Sequence, residues 1–305
     1  MKEMIYMKNK YIFKIFLIVL IVTIASYSYN QLTLNKSDMM NKKVKQNMNE
    51  DVKDNKKDIV TDKKEGILVY NILGKSNKLT DSQWNSMQHW RSNAVKLANE
   101  NKDEVYINGY NNEKMVALTF DDGPDYTITP KIGEVLKENN VKGNFFFIGE
   151  QVAEKSNIVK KIYEDGNLVL SHSYNHIELN KLSEEEIKKQ VTMGEKEIFK
   201  VIGKRPKFIR PPYGAIDNKV INILEQNEEK IILWSIDTLD WSQKDERNIV
   251  KNIMENLRPG EIVLMHSNED KEITLKALPN IIKTIKEKGY KIVTLDKLLK
   301  TEAYK

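Results

Sequence analysis

The sequence predicts an α/β fold in which seven short strands alternate with helices and close, or nearly close, into a barrel. Three observations predict it. Short apolar runs recur along the second two-thirds of the chain, and each but the last is followed by a helical segment. That alternation favours parallel strands joined by helical crossovers. Asp, His and Arg recur at the ends of these runs, and in a parallel barrel the strand ends all open on one face.

Composition sets the outer bounds. The chain has 305 residues, 40% of them apolar, which suffices for one large domain with additional segments. It contains no cysteine, which excludes disulfides, thiolate zinc ligands and thiol nucleophiles. Any metal site must therefore use His, Asp and Glu. The net charge of +5 is unevenly placed. Of the 49 basic and 44 acidic residues, 13 and 7 fall in residues 1–64, giving +6 there and −1 for the rest. A nearly neutral globular part gives no support for a nucleic-acid partner.

Tyr11 to Tyr29 is predominantly apolar and follows Lys2, Lys8, Lys10 and Lys14, an arrangement that holds an N-terminus in the cytoplasm. Residues 1–29 are expected to be a transmembrane anchor in preference to a cleaved signal. No clear Ala-x-Ala site follows, Ala25-Ser26-Tyr27-Ser28 being the nearest. Either way the remainder lies outside the membrane, tethered to it or secreted. Residues 30–65 are polar, rich in Lys, Asp and Asn, and read as a flexible tether. Residues 66–113 form an N-terminal extension. Ile67–Ile72 suggests a short strand, and Thr80-Asp81 opens a helix to about Ala98 whose Trp84 and Trp90 are read as packing residues rather than carbohydrate platforms. Val105–Ile107 before Asn108-Gly109 suggests a hairpin.

The barrel, residues 114–305, begins with the strand Met115–Phe120, which runs into Asp121, Asp122, Gly123 and Pro124. Strands are then expected at Asn144–Ile148, Leu168–Ser171, Lys207–Arg210, Ile231–Ile236, Glu261–Met265 and Lys291–Thr294. Helices are expected at Thr127–Glu138, Glu150–Glu164, Ser183–Ile202, Asp217–Gln226, Asp245–Asn256 and Glu272–Lys288. Ser183 with Glu186 is a capping-box signature.

The strand ends carry the chemistry. Two adjacent carboxylates, Asp121 and Asp122, need a positive partner to offset their desolvation. Side chains alternate along a strand, so one can ligate a metal while the other remains free to take a proton. Arg210 is placed to hold the free one ionised. His172 and His176 are four apart, a spacing that can bring two imidazoles to one metal. Two His and one Asp leave open coordination positions, as a catalytic site requires. His266 is a candidate general acid, with Asp240 fixing its tautomer. Pro211-Pro212 makes a rigid turn that presents the Tyr213 N–H to a developing oxyanion. Trp241 and Leu264 are candidates to wall a small apolar pocket, although core packing accounts equally well for Leu264. His89 is read as a surface or packing residue.

Five segments in order carry a family resemblance: Thr119-Phe-Asp-Asp-Gly-Pro124, His172-Ser-Tyr-Asn-His176, Arg210-Pro-Pro-Tyr-Gly214, Asp237-Thr-Leu-Asp-Trp241 and Leu264-Met-His266. Lys114–Leu299 resembles the polysaccharide deacetylases of carbohydrate esterase family 4, the NodB-like domain. The resemblance implies a distorted (β/α)7 barrel and metal-dependent removal of acetyl groups. It implies Asp122, His172 and His176 as metal ligands, Asp121 as base paired with Arg210, and His266 as acid paired with Asp240. Tyr213 would supply the oxyanion N–H, and Trp241 and Leu264 would line the acetate pocket. No position is missing, while Asn227-Glu-Glu-Lys230 is more charged than the expected Gly-containing turn and lies at the opposite barrel end. The expected cofactor is a divalent ion, zinc before cobalt or others. The expected protein is a monomeric enzyme that deacetylates peptidoglycan N-acetylglucosamine. The alternatives are an O-deacetylase of acetylated xylan or exopolysaccharide, or a non-catalytic wall-binding protein.

Overall fold

The computed structural model describes residues 67–305. The expected anchor (1–29) and tether (30–65) lie outside the described residues. Among the described residues, no helix is long and apolar enough to cross a membrane.

In chain order the elements are α1 (Asp81–Glu100), β1 (Val105–Tyr106), β2 (Met115–Asp121), α2 (Ile128–Glu138), β3 (Asn144–Phe147), α3 (Gly149–Glu154), α4 (Ser156–Glu164) and β4 (Leu168–Ser171). There follow α5 (Glu184–Ile202), β5 (Phe208–Ile209), α6 (Asn218–Gln226), β6 (Lys230–Ile232), β7 (Ile236–Asp237), α7 (Glu246–Asn256), β8 (Glu261–His266), α8 (Glu272–Glu287), β9 (Lys291–Ile292) and α9 (Leu295–Leu299). Every strand pairing is parallel, and the order is β1-β6-β5-β4-β3-β2-β8-β7, with β9 beside the start of β2. Because β6 and β7 belong to one stretch, residues 233–235 link the two sides of a curled parallel sheet, an arrangement consistent with a distorted barrel.

Four expectations need correction. Ile231–Ile236 is two short strands, because the carbonyls of Ile232 and Leu233 turn away from the ladder to accept Arg210 Nε and Nη2, each at 2.9 Å. Glu150–Glu164 is two helices, since Lys155 leaves helical geometry at φ −116°, ψ 39°. Val105–Ile107 forms no hairpin with β2. It runs parallel to β6, and the Asn108 side chain bonds Tyr70 N at 2.8 Å and Leu68 O at 3.0 Å, so the chain passes on without reversing. Ile67–Ile72 is not a strand; only Leu73 makes a bridge, to Ile236.

Alternation along β2 places the site. Val116, Leu118 and Phe120 pack outward with residues of α2 and α8, whereas Met115 and Ala117 join the apolar interior of the barrel. Thr119 and Asp121 share that inward face. In the same way Phe145 and Phe147 face helices while Phe146 faces inward. The outward layer is amphipathic helix on apolar strand, the usual covering of a parallel sheet. Local signals agree. Ser183 and Glu186 form the expected capping box, with Ser183 N donating to Glu186 Oε2 at 2.9 Å. Thr80 and Gln83 form a second one on α1.

The turn after β2 is held by Asp125, which sequence reading passed over. Its carboxylate accepts the N–H groups of Thr127, Ile128 and Thr129 at 3.1, 3.0 and 2.6 Å, and so caps α2. Burial works against its charge, but these bonds and the Thr127 hydroxyl outweigh it and hold the carboxyl below the usual range. Asp125→Ala is expected to lower unfolding stability at pH 7 by about 1–2 kcal/mol in urea titration. The stabilisation is full above the ordinary carboxylate range and is lost as pH falls through the lowered value. The gap between the two proteins should therefore narrow only in acid.

Candidate metal centre and acid–base site

Three loops following β2, β4 and β5, and two following β7 and β8, meet at one barrel mouth. Asp121 ends β2 in register with His266, which ends β8. Their neighbouring side chains surround a cavity of about 470 Å³. Asp121, Asp122, His172, His176, Tyr213, Trp241, Leu264 and His266 line it, Arg210 and Asp240 lie behind Asp121 and His266, and His89 is exposed on α1.

Arg210 fixes the geometry. Fully buried, it donates from Nη1 to Asp121 Oδ1 at 2.7 Å and to Thr119 Oγ1 at 2.9 Å, besides its bonds to Ile232 and Leu233. The Phe146 ring lies under the guanidinium, 4.2 Å from ring centroid to Cζ. Asp121 Oδ2 remains on the cavity side, 3.9 Å from His172 Nε2.

Asp122, His172 and His176 converge. Their Nε2 atoms lie 3.3 and 3.1 Å from Asp122 Oδ1, an oxygen that is buried and makes no hydrogen bond of good geometry. His172 Nδ1 lies 2.6 Å from the Arg210 carbonyl, which can only accept, so that nitrogen carries the proton. As a neutral ligand the ring turns the lone pair of Nε2 toward the carboxylate. Lone pairs facing one another across about 3 Å repel unless a cation lies between them. The donor set therefore fits a divalent metal, and two nitrogens with one oxygen suit zinc.

Surrounding residues that sequence reading missed hold the His loop. Gln190 Oε1 on α5 accepts Tyr174 N and Asn175 N at 3.3 and 3.1 Å. Gly194 lets α5 approach so closely that a Cβ there would lie 2.8 Å from the Ser173 carbonyl. Neither carries a local sequence signal, because each acts through a packing partner distant in the chain.

On the other side, His266 Nδ1 lies 2.7 Å from Asp240 Oδ1. Asp240 Oδ2 accepts His266 N at 2.8 Å and the Thr274 hydroxyl at 2.6 Å, the latter another unforeseen partner. Burial alone would lower the pKa of His266, but the Asp240 carboxylate, with Asp122 and Asp121 behind it, outweighs burial and raises it to about 9. Pairing with Asp240 thus favours the imidazolium. Trp241, 48% exposed, and buried Leu264 line the cavity. Tyr213 lies at φ 60° and its ring is 4.7 Å from that of His176. Asp122, Ser173, His176, Tyr213 and Leu239 all take positive φ, so five left-handed non-glycine residues gather in these loops.

One consequence is measurable by metal analysis of purified protein. The wild type should hold one zinc per chain, His172→Ala and His176→Ala should hold little, and Asp121→Asn should hold as much as wild type. Metal retained at full stoichiometry in His172→Ala would remove it from the ligand set.

A family model described as polysaccharide deacetylase matches residues 108–232. The chain is similar to a peptidoglycan-N-acetylglucosamine deacetylase of Bacillus cereus, 41% identical over 198 residues that cover 64% of this chain and 72% of that protein. It is 38% identical over 185 residues to the peptidoglycan-N-acetylglucosamine deacetylase PgdA of Listeria monocytogenes, covering 61% of this chain and only 39% of that longer relative. Among solved structures, the Bc1960 peptidoglycan N-acetylglucosamine deacetylase superposes with a TM-score of 0.66 at 37% identity, over 68% of this chain and 98% of that one. BA3943 of Bacillus anthracis, a CE4 family pseudoenzyme, superposes with a TM-score of 0.60 at 31% identity, over 64% and 68%. Sequence identity, fold and the match to the family model agree: the chain belongs to the polysaccharide deacetylase family.

Proposed function

We propose that this chain is a hydrolase that removes N-acetyl groups from cell-wall polysaccharide, with the N-acetylglucosamine of peptidoglycan as substrate. The observation that carries the reading is the convergence on one cavity of the free Asp121 Oδ2, a three-residue metal donor set and a histidine paired with a buried carboxylate. Membership of a family that includes a pseudoenzyme does not by itself imply activity; the presence of all three features supports it.

Asp122, His172 and His176 would hold a divalent cation, which when bound supplies Lewis-acid polarisation of the acetyl carbonyl and a more acidic water. Asp121 Oδ2 accepts the proton of the attacking water, while Arg210 occupies Oδ1 and keeps the carboxylate oriented. The Tyr213 N–H would donate to the oxygen on which negative charge develops. As the C–N bond breaks, His266 gives the Nε2 proton to the departing amine, and Asp240 stabilises the imidazolium until then. Trp241 and Leu264 close around the methyl group of the acetyl. Acetate and a glucosamine unit leave, and the new amine is cationic at neutral pH.

The substrate assignment draws on the names of the similar proteins and on the apolar segment Tyr11–Tyr29 with its preceding lysines, which would keep the enzyme outside the membrane and close to the wall. The decisive assay is acetate release by the full chain from peptidoglycan and from N-acetylglucosamine oligomers, after chelation and after zinc or cobalt is returned. Release from acetylxylan alone would sink the reading in favour of an O-deacetylase, and wall binding without acetate release would favour a non-catalytic protein.

Asp121→Asn is expected to lower kcat by roughly 10²–10⁴-fold with metal retained. A second expectation concerns pH. His266 acts in its protonated form, so activity should persist at neutral pH and fall as pH rises through a limb near or somewhat below 9, since a bound cation offsets the help from Asp122. Asp240→Asn removes the main stabilising charge and should move that limb of the kcat profile downward, toward or below the ordinary histidine range.

A further inference from the structure

Helix α1 enters the site from outside the barrel. Gln83, Met87 and Trp90, on one of its faces, line the same cavity as the catalytic groups. The stretch that matches the family model starts at residue 108, after α1, so family membership does not dictate these contacts.

Trp90 grips the turn that carries Tyr213. Its Nε1–H donates to the Gly214 carbonyl at 3.1 Å, and its ring stacks on Trp234 with centroids 5.0 Å apart and planes 25° from parallel. Gly214 is at φ 61°, and a Cβ there would lie 2.5 Å from the Trp90 ring and 2.9 Å from Trp234. Tyr213 and Gly214 are thus two successive left-handed residues. For Tyr that conformation costs roughly 1–2 kcal/mol and persists only where neighbours over-determine it. The turn's own bonds, Gly214 N to Pro211 O and Ala215 N to Pro212 O, are short-range. Among the described residues, the Trp90 indole makes the one hydrogen bond that reaches Pro211–Gly214 from another element.

The next residue secures the helix. Arg91 is buried, donates from Nη1 to the Gly74 carbonyl at 3.0 Å and places Nη2 3.5 Å from Asp237 Oδ2. Asp237 ends β7 and starts the loop to Asp240. Adjacent residues of α1 therefore fasten the turn of the oxyanion donor and the loop of the acid's partner.

We propose that Trp90 is a positioning residue for deacetylation: it holds the Pro211–Gly214 turn so that the Tyr213 N–H points at the developing oxyanion. The proposal rests on the deacetylase reading. A donor is effective only where the oxygen will be, and displacements of about 1 Å can cost up to 10²-fold in rate.

Trp90→Phe in the full chain tests it, because phenylalanine keeps an aromatic face for Trp234 and removes the indole donor. Hydrogen exchange of a peptide spanning residues 210–216 should quicken about 10-fold while peptides of β2 and β3 exchange as in wild type. Acetate release should show kcat lowered roughly 10-fold, KM within about twofold and zinc content unchanged. Unchanged exchange in 210–216, or unchanged kcat, overturns the proposal. So does quickened exchange spread over β2 and β3, which would make Trp90 a general packing residue. A wild type that releases no acetate would overturn the deacetylase reading instead, and the exchange comparison would still decide whether Trp90 holds the turn.

Discussion

Arg210 is the constraint on which the rest of the site depends. Its side chain ties Asp121 and Thr119 of β2 to the carbonyls of Ile232 and Leu233, and its own carbonyl fixes the tautomer of His172. One buried residue thus orients the Asp121 carboxylate, selects the His172 lone pair turned toward Asp122 and interrupts the strand between β6 and β7. Each of its three nitrogens has an acceptor, four bonds in all, so the buried charge is tolerated. Removal of either partner would leave the other charge uncompensated, a change that typically costs 3–5 kcal/mol. Lysine in its place would offer neither the planar fork nor the stacking on Phe146.

The loop from Asp237 to Asp240 divides two similar carboxyls by environment. Burial pushes Asp237 up toward the neutral form, only partly offset by Arg91 and the Leu239 N–H. Asp240 is as deeply buried, yet His266 and Thr274 outweigh burial and hold it ionised. Asp240 keeps its charge through His266 and Thr274, whereas Asp237 has only the Arg91 guanidinium at 3.5 Å and the Leu239 N–H to set against burial.

Much of this was legible in the sequence. The order of strands and helices, the capping box at Ser183 and the gathering of Asp121, Asp122, His172, His176, Arg210, Tyr213, Asp240 and His266 at one barrel end all follow from local patterns. What was not legible depends on contacts distant in the chain. The break after Ile232 is dictated by an arginine 22 residues earlier. The direction of β1 is set by a free edge of β6, and Trp90 looked like a packing residue because nothing local shows that its packing partner borders the active site. Thr274 and Gln190 are ordinary helix residues until their partners are known.

The left-handed residues have a consequence for how such proteins diverge. Asp122, Ser173, His176, Tyr213 and Leu239 hold a conformation that costs each of them on the order of 1 kcal/mol. A lineage under selection for fold alone gains stability by replacing any of them with glycine or by relaxing its loop, and the helices and strands beneath lose nothing. Loss of chemistry is therefore the downhill direction for this barrel. The five positions therefore impose a stability cost that the geometry of the site requires and the strands and helices beneath it do not.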